Sequence, residues 1–236
     1  MMGEKLTHAI EPHTAFTMNL FGFKIPVSDL VVTMWIVMAV MIILAIILTR
    51  KLSLVPNKRQ NVAEMIVEFI NNMVKDAIPH HWKTFAPYLG TVVLYLILAN
   101  TISIFNIIPG GEEGFKLRPP ARNINVTVCL ALMSICVVIY AGIRYKGVGG
   151  WIKSFAKPTP IMLPFNILDY IIKPTSLALR LFGNILGAFI VMELIYMALP
   201  AFAPAVLSVY FDLFDGILQA YVFTLLTSIY ISEALE

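Results

Sequence analysis

Charge is scarce in this chain: of its 236 residues only 13% are Asp, Glu, Lys or Arg, against a hydrophobic share of 59% and a mean hydropathy of +0.83. A soluble domain carries nearer ~25% charged and ~45–50% apolar residues, so a water-soluble globular fold is excluded. Cysteine is scarcer still, with two thiols, Cys129 and Cys136. Two turns of helix would separate them by ~10 Å, beyond disulfide reach, and they read as small hydrophobes. The four histidines, His8, His13, His80 and His81, fall in polar connecting stretches without partners at ligand spacing, and no metal or bound cofactor is expected. The first 29 residues lack a compact apolar core followed by a small-residue cleavage site, so no secretory signal is read there. The net charge of +3 sits mostly in basic loops and implies no nucleic-acid partner.

What the chain has in abundance is long apolar runs of helical length, without the alternating polar face of a barrel. They define a single all-α polytopic membrane domain, residues 1–236, held in a lipid bilayer. Residues 1–29, broken by Pro12 and Pro26, read as an extramembrane lead-in. Residues 30–48 form a first uncharged span that ends at Thr49-Arg50-Lys51, and the basic end marks the cytoplasmic side. Over 57–78, Val62, Met65, Ile66, Phe69, Ile70 and Val74 share one helical face while Glu64, Glu68, Asn72 and Lys75 take the other. That pattern predicts an amphipathic helix lying on the cytoplasmic surface.

The second span covers 86–108 and contains Asn100 and Thr101, which either hydrogen-bond to another helix or line a water path. Pro109-Gly110-Gly111 ends it in a loop placed outside. The third covers 125–143, with Asn123 and Asn125 near its outer end, and exits through Arg144, Lys146, Lys153 and Lys157, with Gly147, Gly149 and Gly150 making the turn. Pro158, Pro160, Pro164 and Pro174 divide 158–174 into an approach with one short helix, 165–172, too brief to span. Residues 175–199 and 203–231 then form a long, strongly tilted hairpin about Pro200 and Pro204. The count is five membrane-embedded long helices plus the surface helix, amino terminus outside and carboxyl terminus cytoplasmic. No duplicated half is visible, which argues against an inverted-repeat transporter.

Arg180 lies inside the fourth long run. A guanidinium at membrane depth costs between ~3 and ~15 kcal/mol, so it faces protein or water and is functional by default. It stays protonated at physiological pH, so it can attract or repel charge but cannot relay a proton. Asn184 and Gly187 follow it on one stripe, while Glu193 points elsewhere. In the last run Asp212, Asp215 and Gln219 share a face at helical spacing. Folding the two helices antiparallel with Arg180 level with Gln219 places Asn184 level with Asp215 and Gly187 level with Asp212. The carboxylates Glu193, Asp212 and Asp215 then descend toward the amides, with gaps of ~6–9 Å that water would bridge. The bland alternative pairs these acids with basic residues of this or another chain. Gly183 and Gly187 make a small-xxx-small pair that suits close helix packing.

With those residues in hand, the chain resembles subunit a of the F-type ATP synthase, bacterial type, over nearly its full length. The resemblance rests on TRKLSLVPNKRQNVAE from Thr49 to Glu64, NINVT from Asn123 to Thr127, KPTSLALRLFGN from Lys173 to Asn184, and ILQAYVFTLLTSIYIS from Ile217 to Ser232, in that order, together with WIVM near Trp35 and the Asn100 region. It implies a non-catalytic stator subunit of the bacterial plasma membrane, whose partners are a c-subunit ring, the b-subunit peripheral stalk and the other ATP synthase subunits. Two offset half-channels would carry H⁺ or Na⁺ to and from the ring carboxylates, with Arg180 between them. Asn184, Glu193, Asp212, Asp215 and Gln219 would serve ion translocation. Asn100, Asn123 and Asn125 would line the path, and Asn166 and Asp169 would mark the inner mouth. Phe189 stands where the family often has Glu or His, and Asn123 where it commonly has Asp. Two other classes compete: an autonomous channel or secondary transporter using Arg180 for a substrate, and a purely structural assembly protein.

Overall fold

A computed structural model describes residues 14–20, 23–50, 52–53, 56–102, 119–155, 160–198, 207 and 209–235. The uncharged run after Ser28 folds as α1, Asp29–Thr49, most of whose side chains point away from the rest of the chain. α2 is Lys58–Ala77 and α3 is Trp82–Thr101. α4 is Ile124–Ser154 and α5 is Leu163–Ala198. A π-helical segment, Val209–Asp215, leads into α6, Gly216–Leu235. Five of these helices, α1, α3, α4, α5 and the segment ending in α6, are long and apolar enough to cross a membrane, and α2 is not among them. The fold is that of an all-α polytopic membrane protein.

α6 sits at the centre, packed chiefly on α3 and α4, while α5 lies mainly on α4 and α2 on α3. Leu89 and Leu96 of α3, Val138 and Ala141 of α4, Leu177 and Leu181 of α5, and Phe223 and Ile231 of α6 form one continuous core. Val37 of α1 joins a smaller cluster with Ala99 and Ile102. α6 looks too polar for this position, yet its Thr224, Thr227 and Ser228 are buried. Each of these hydroxyls donates to the carbonyl four residues back, at 2.8–2.9 Å, so the helix satisfies its own polar atoms before it meets its neighbours.

The amphipathic helix occurs where the periodicity predicts it, but its apolar face is divided. Ile70, Met73 and Val74 are buried inside the chain, whereas Val62, Met65, Ile66 and Phe69 remain exposed. A helix that packs on protein with one half of its apolar stripe and leaves the other half outward suits a membrane interface.

Four expectations need correction. The lead-in contains a two-stranded antiparallel hairpin, β1 Thr14–Leu20 and β2 Phe23–Ser28, with Pro26 inside β2 opposite Thr17. A hairpin has two edges, and an edge strand accommodates a residue with no N–H. The short helix 165–172 does not exist as a separate piece, because α5 runs unbroken through Pro174. Proline removes one backbone donor, the one that would have reached the Tyr170 carbonyl, and membrane helices tolerate this; beside it Thr175 Oγ1 donates to the Ile171 carbonyl at 2.6 Å. The third span does not stop at 143. The helix runs past 143 and breaks at Gly147, whose φ of 72° and ψ of 160° turn a short second helical piece, ending at Ser154, back toward the bundle. Finally, the last run is not one α-helix from 203 to 231, since its start is π-helical. The turn at Pro200 to Pro204, the end of the 86–108 span and the loop after it lie outside the described residues.

Candidate functional site

α5 buries Leu177, Ala178, Leu181 and Ile185, a stripe spaced one, three and four residues apart. The opposite face therefore carries Leu179, Arg180, Gly183 and Asn184, all exposed. A Cβ built on Gly183 or Gly187 would meet nothing within 4 Å. The guanidinium thus stands beside a strip of bare backbone, and among the described residues no carboxylate pairs with it.

Four residues along from Arg180, Asn184 Nδ2 donates to Gln219 Oε1 at 2.6 Å, joining α5 to α6. This corrects the register: Asn184, not Arg180, is level with Gln219, and Arg180 lies one turn further, beside the level of Phe223. Gln219 is 1% exposed, and its Nε2 finds no partner among the described residues. A buried amide hydrogen without a protein acceptor marks a place for water or for an oxygen from outside the chain.

Asp215 is half-buried at the last residue of the π-helical segment. A π turn closes its hydrogen bonds at i→i+5, so it displaces preceding side chains by about one residue position, ~100°, relative to an α-helix. The stripe read for Asp212, Asp215 and Gln219 on a straight α-helix thus meets a change of backbone geometry that ends at Asp215. The side chains of Asp212 and Glu193 lie outside what is described. Immediately after Asp215, the carbonyl of Gly216 accepts from Asn100 Nδ2 at 3.2 Å. A Cβ at Gly216 would stand 3.0 Å from that of Asn100, so glycine permits the close approach of α3. Asn100 is thus used in helix-to-helix bonding. Asn123 caps α4, its Oδ1 accepting from Asn125 N at 2.9 Å, and Asn125 is exposed.

Asn166 and Asp169 are brought together in a cleft of about 230 Å³ between α4, α5 and α6, with Lys173 and Glu233 on its rim. They lie ~17–21 Å along α5 from Arg180. Lys173 Nζ is 2.7 Å from Glu233 Oε2 and 5.4 Å from the Tyr230 ring centroid. Lys173, which the sequence left in the Pro-rich approach 158–174, is thus a second basic residue within the last two long helices. A second missed cation is Arg122, whose guanidinium carbon sits 3.3 Å from the ring centroid of Phe189. No spacing in the sequence links those two positions.

Charged side chains inside five long apolar spans mark a multi-pass membrane protein. The family model for the ATP synthase A chain matches residues 31–232. The sodium ion specific ATP synthase subunit a of Propionigenium modestum is 35% identical over 224 residues, covering 92% of this chain and 76% of that one. Subunit a 1 of Crocosphaera subtropica is 34% identical over 87% of this chain and 86% of its own, and subunit a of Moorella thermoacetica 34% over 89% and 91%. The chain belongs to the ATP synthase subunit a family, the ion-translocating membrane component of a complex whose catalysis is carried by other subunits.

Proposed function

We propose that this chain is the stator against which a ring of c subunits turns, and that Arg180 separates two offset ion paths that reach the ring from opposite sides of the membrane. The observation that carries the reading is the open face of α5, where Arg180 projects next to Gly183 and Gly187 and no described residue lies within 4 Å of a Cβ built on either glycine. A neighbouring helix that packed there would bring its own side chains against the guanidinium. A ring carboxylate arriving loaded would release its ion, since an adjacent arginine lowers a carboxylate pKa by roughly 1–3 units. The fixed positive charge then blocks direct passage between the two paths, so the ion leaves only after rotation.

One path runs through Glu193, Asp212 and Asp215 to the Asn184–Gln219 pair, near Asn100, Asn123 and Asn125. The unmatched Nε2 of Gln219 supports a water position beside Arg180. The other path is the cleft holding Asn166 and Asp169. The basic residues flanking the spans support a cytoplasmic position for that cleft; the same reading puts the chain in a bacterial plasma membrane, amino terminus outside, with the b-subunit stalk as a further partner. The translocated ion is H⁺ or Na⁺, and the sodium specificity in the name of the Propionigenium relative makes Na⁺ worth testing directly.

The test is Arg180→Ala in the assembled complex: c subunits stay associated and ATP-driven ion pumping is abolished. Arg180→Lys is expected to lose most coupled synthesis as well, because an ammonium does not reproduce the planar five-donor guanidinium. Near-normal synthesis in that variant would overturn the geometry. An autonomous transporter, by contrast, would move ions in liposomes holding this chain alone.

A further inference from the structure

The cleft at the end of α5 away from the Asn184–Gln219 pair is closed unevenly. On one side Trp151 Nε1 donates to Tyr170 OH at 3.2 Å, Asn166 Nδ2 donates to the Phe155 carbonyl at 2.8 Å, and Trp151, Phe155 and Tyr170 pack ring against ring. That wall is fixed by packing and hydrogen bonds. On the other rim α5 and α6 are bridged by two long side chains, Lys173 and Glu233.

The two partners differ in access to water. The Lys173 side chain is 20% exposed and that of Glu233 56%. A cation arriving from bulk solvent therefore reaches the carboxylate first and finds it already matched by a sheltered ammonium. To bind, it has to displace the lysine, and the Tyr230 face offers the ammonium a second seat. The other charged groups on the cleft wall are Lys146 and Asp169, one of each sign, so the balance at the rim turns on this single pair.

We propose that Lys173 and Glu233 form an ionic latch across the inner path, with Glu233 the first carboxylate to receive an incoming cation and Lys173 the positioning residue that competes for it. The latch rests on the cleft being that inner path. When the ammonium swings onto Tyr230 the rim opens and the carboxylate takes the ion; when the pair re-forms, the mouth is neutral and narrow.

The experiment uses the assembled ATP synthase in inverted membrane vesicles, with Cys129 and Cys136 replaced by serine. A cysteine reporter is placed at Ile135, a buried residue lining the cleft, and a control at Ser154 on its fixed wall. A membrane-impermeant thiol reagent is added from the cytoplasmic side. Lys173→Gln is expected to raise the reaction rate at Ile135→Cys about two- to fivefold and to leave Ser154→Cys unchanged. The exchanged pair, Lys173→Glu with Glu233→Lys, should restore the parental rate. The latch is overturned if the rate at position 135 does not change, if both reporters rise together as in general loosening, or if the exchanged pair fails to restore closure. Whether the cleft conducts is read separately: modification at position 135 should slow ATP-driven pumping, and unaffected pumping with intact latch behaviour would remove the inner-path reading alone.

Discussion

Replacing Gln219 by leucine separates what its amide does for stability from what it does for flux. The change removes one interhelical hydrogen bond, the 2.6 Å contact from Asn184. Polar contacts of this kind in membranes average only about 0.6 kcal/mol, because the separated helices find other partners. The complex should therefore assemble and melt within a few degrees of the parent, while ATP-driven pumping falls by about tenfold or more, as expected when an oriented water next to the guanidinium is lost. Equal pumping in Gln219→Leu would remove the amide pair from the path. Gly142→Ala makes the opposite case, a structural defect without a change of charge. Its added methyl would stand 2.6 Å from Trp151 Cδ1, so the indole has to move and its bond to Tyr170 is lost. Overpacking of this kind costs about 1–3 kcal/mol, to be read as a lower melting temperature with altered tryptophan fluorescence. Arg180, Asn184 and Gln219 were legible in the sequence because polar groups inside an apolar run need a reason. Glu233 and Lys173 were not, because each sits at the edge of a run, where charge is ordinary.

Among the elements, the spans were legible from apolar length and the surface helix from its period. The π-helical start of the last span was not, since hydrophobic spacing does not encode such backbone geometry. Gly147 was read as part of a turn, and it does turn the chain, at φ 72° and ψ 160° between two helical pieces. Its environment allows a clean test. A Cβ there touches nothing within 4 Å, so Gly147→Ala tests the backbone alone, at a φ of +72°. With ψ at 160° the residue sits in a region essentially reserved for glycine, where an L-residue costs about 1–3 kcal/mol. Gly147→Ala should loosen the return segment that carries Trp151 and speed proteolysis between α4 and α5; an unchanged cleavage rate would mean the segment is held by its aromatic contacts alone.

At the scale of the whole molecule, the number of crossings follows from the sequence, but the surface that gives them a purpose does not. A chain's own core is written in its apolar periodicity, whereas the face of α5 bearing Arg180 is defined by what fails to pack on it. Gly183 is exposed and has no atom of the described residues within 4 Å of its missing Cβ. Gly183→Leu therefore adds no clash with the described residues and improves helix propensity, so the subunit should accumulate in the membrane at the parental level. Packed helices lie ~8–10 Å apart depending on the side chains between them, the closest approaches needing small residues, and a leucine here would hold a ring helix off the guanidinium. The expected result is loss of c subunits from the purified complex together with loss of ATP-driven pumping, in contrast to Arg180→Ala, which keeps the ring and loses only the pumping. Purification with a full complement of c subunits and normal pumping in Gly183→Leu would show that the ring docks elsewhere. The charge at position 180 would then have to be matched by some other partner.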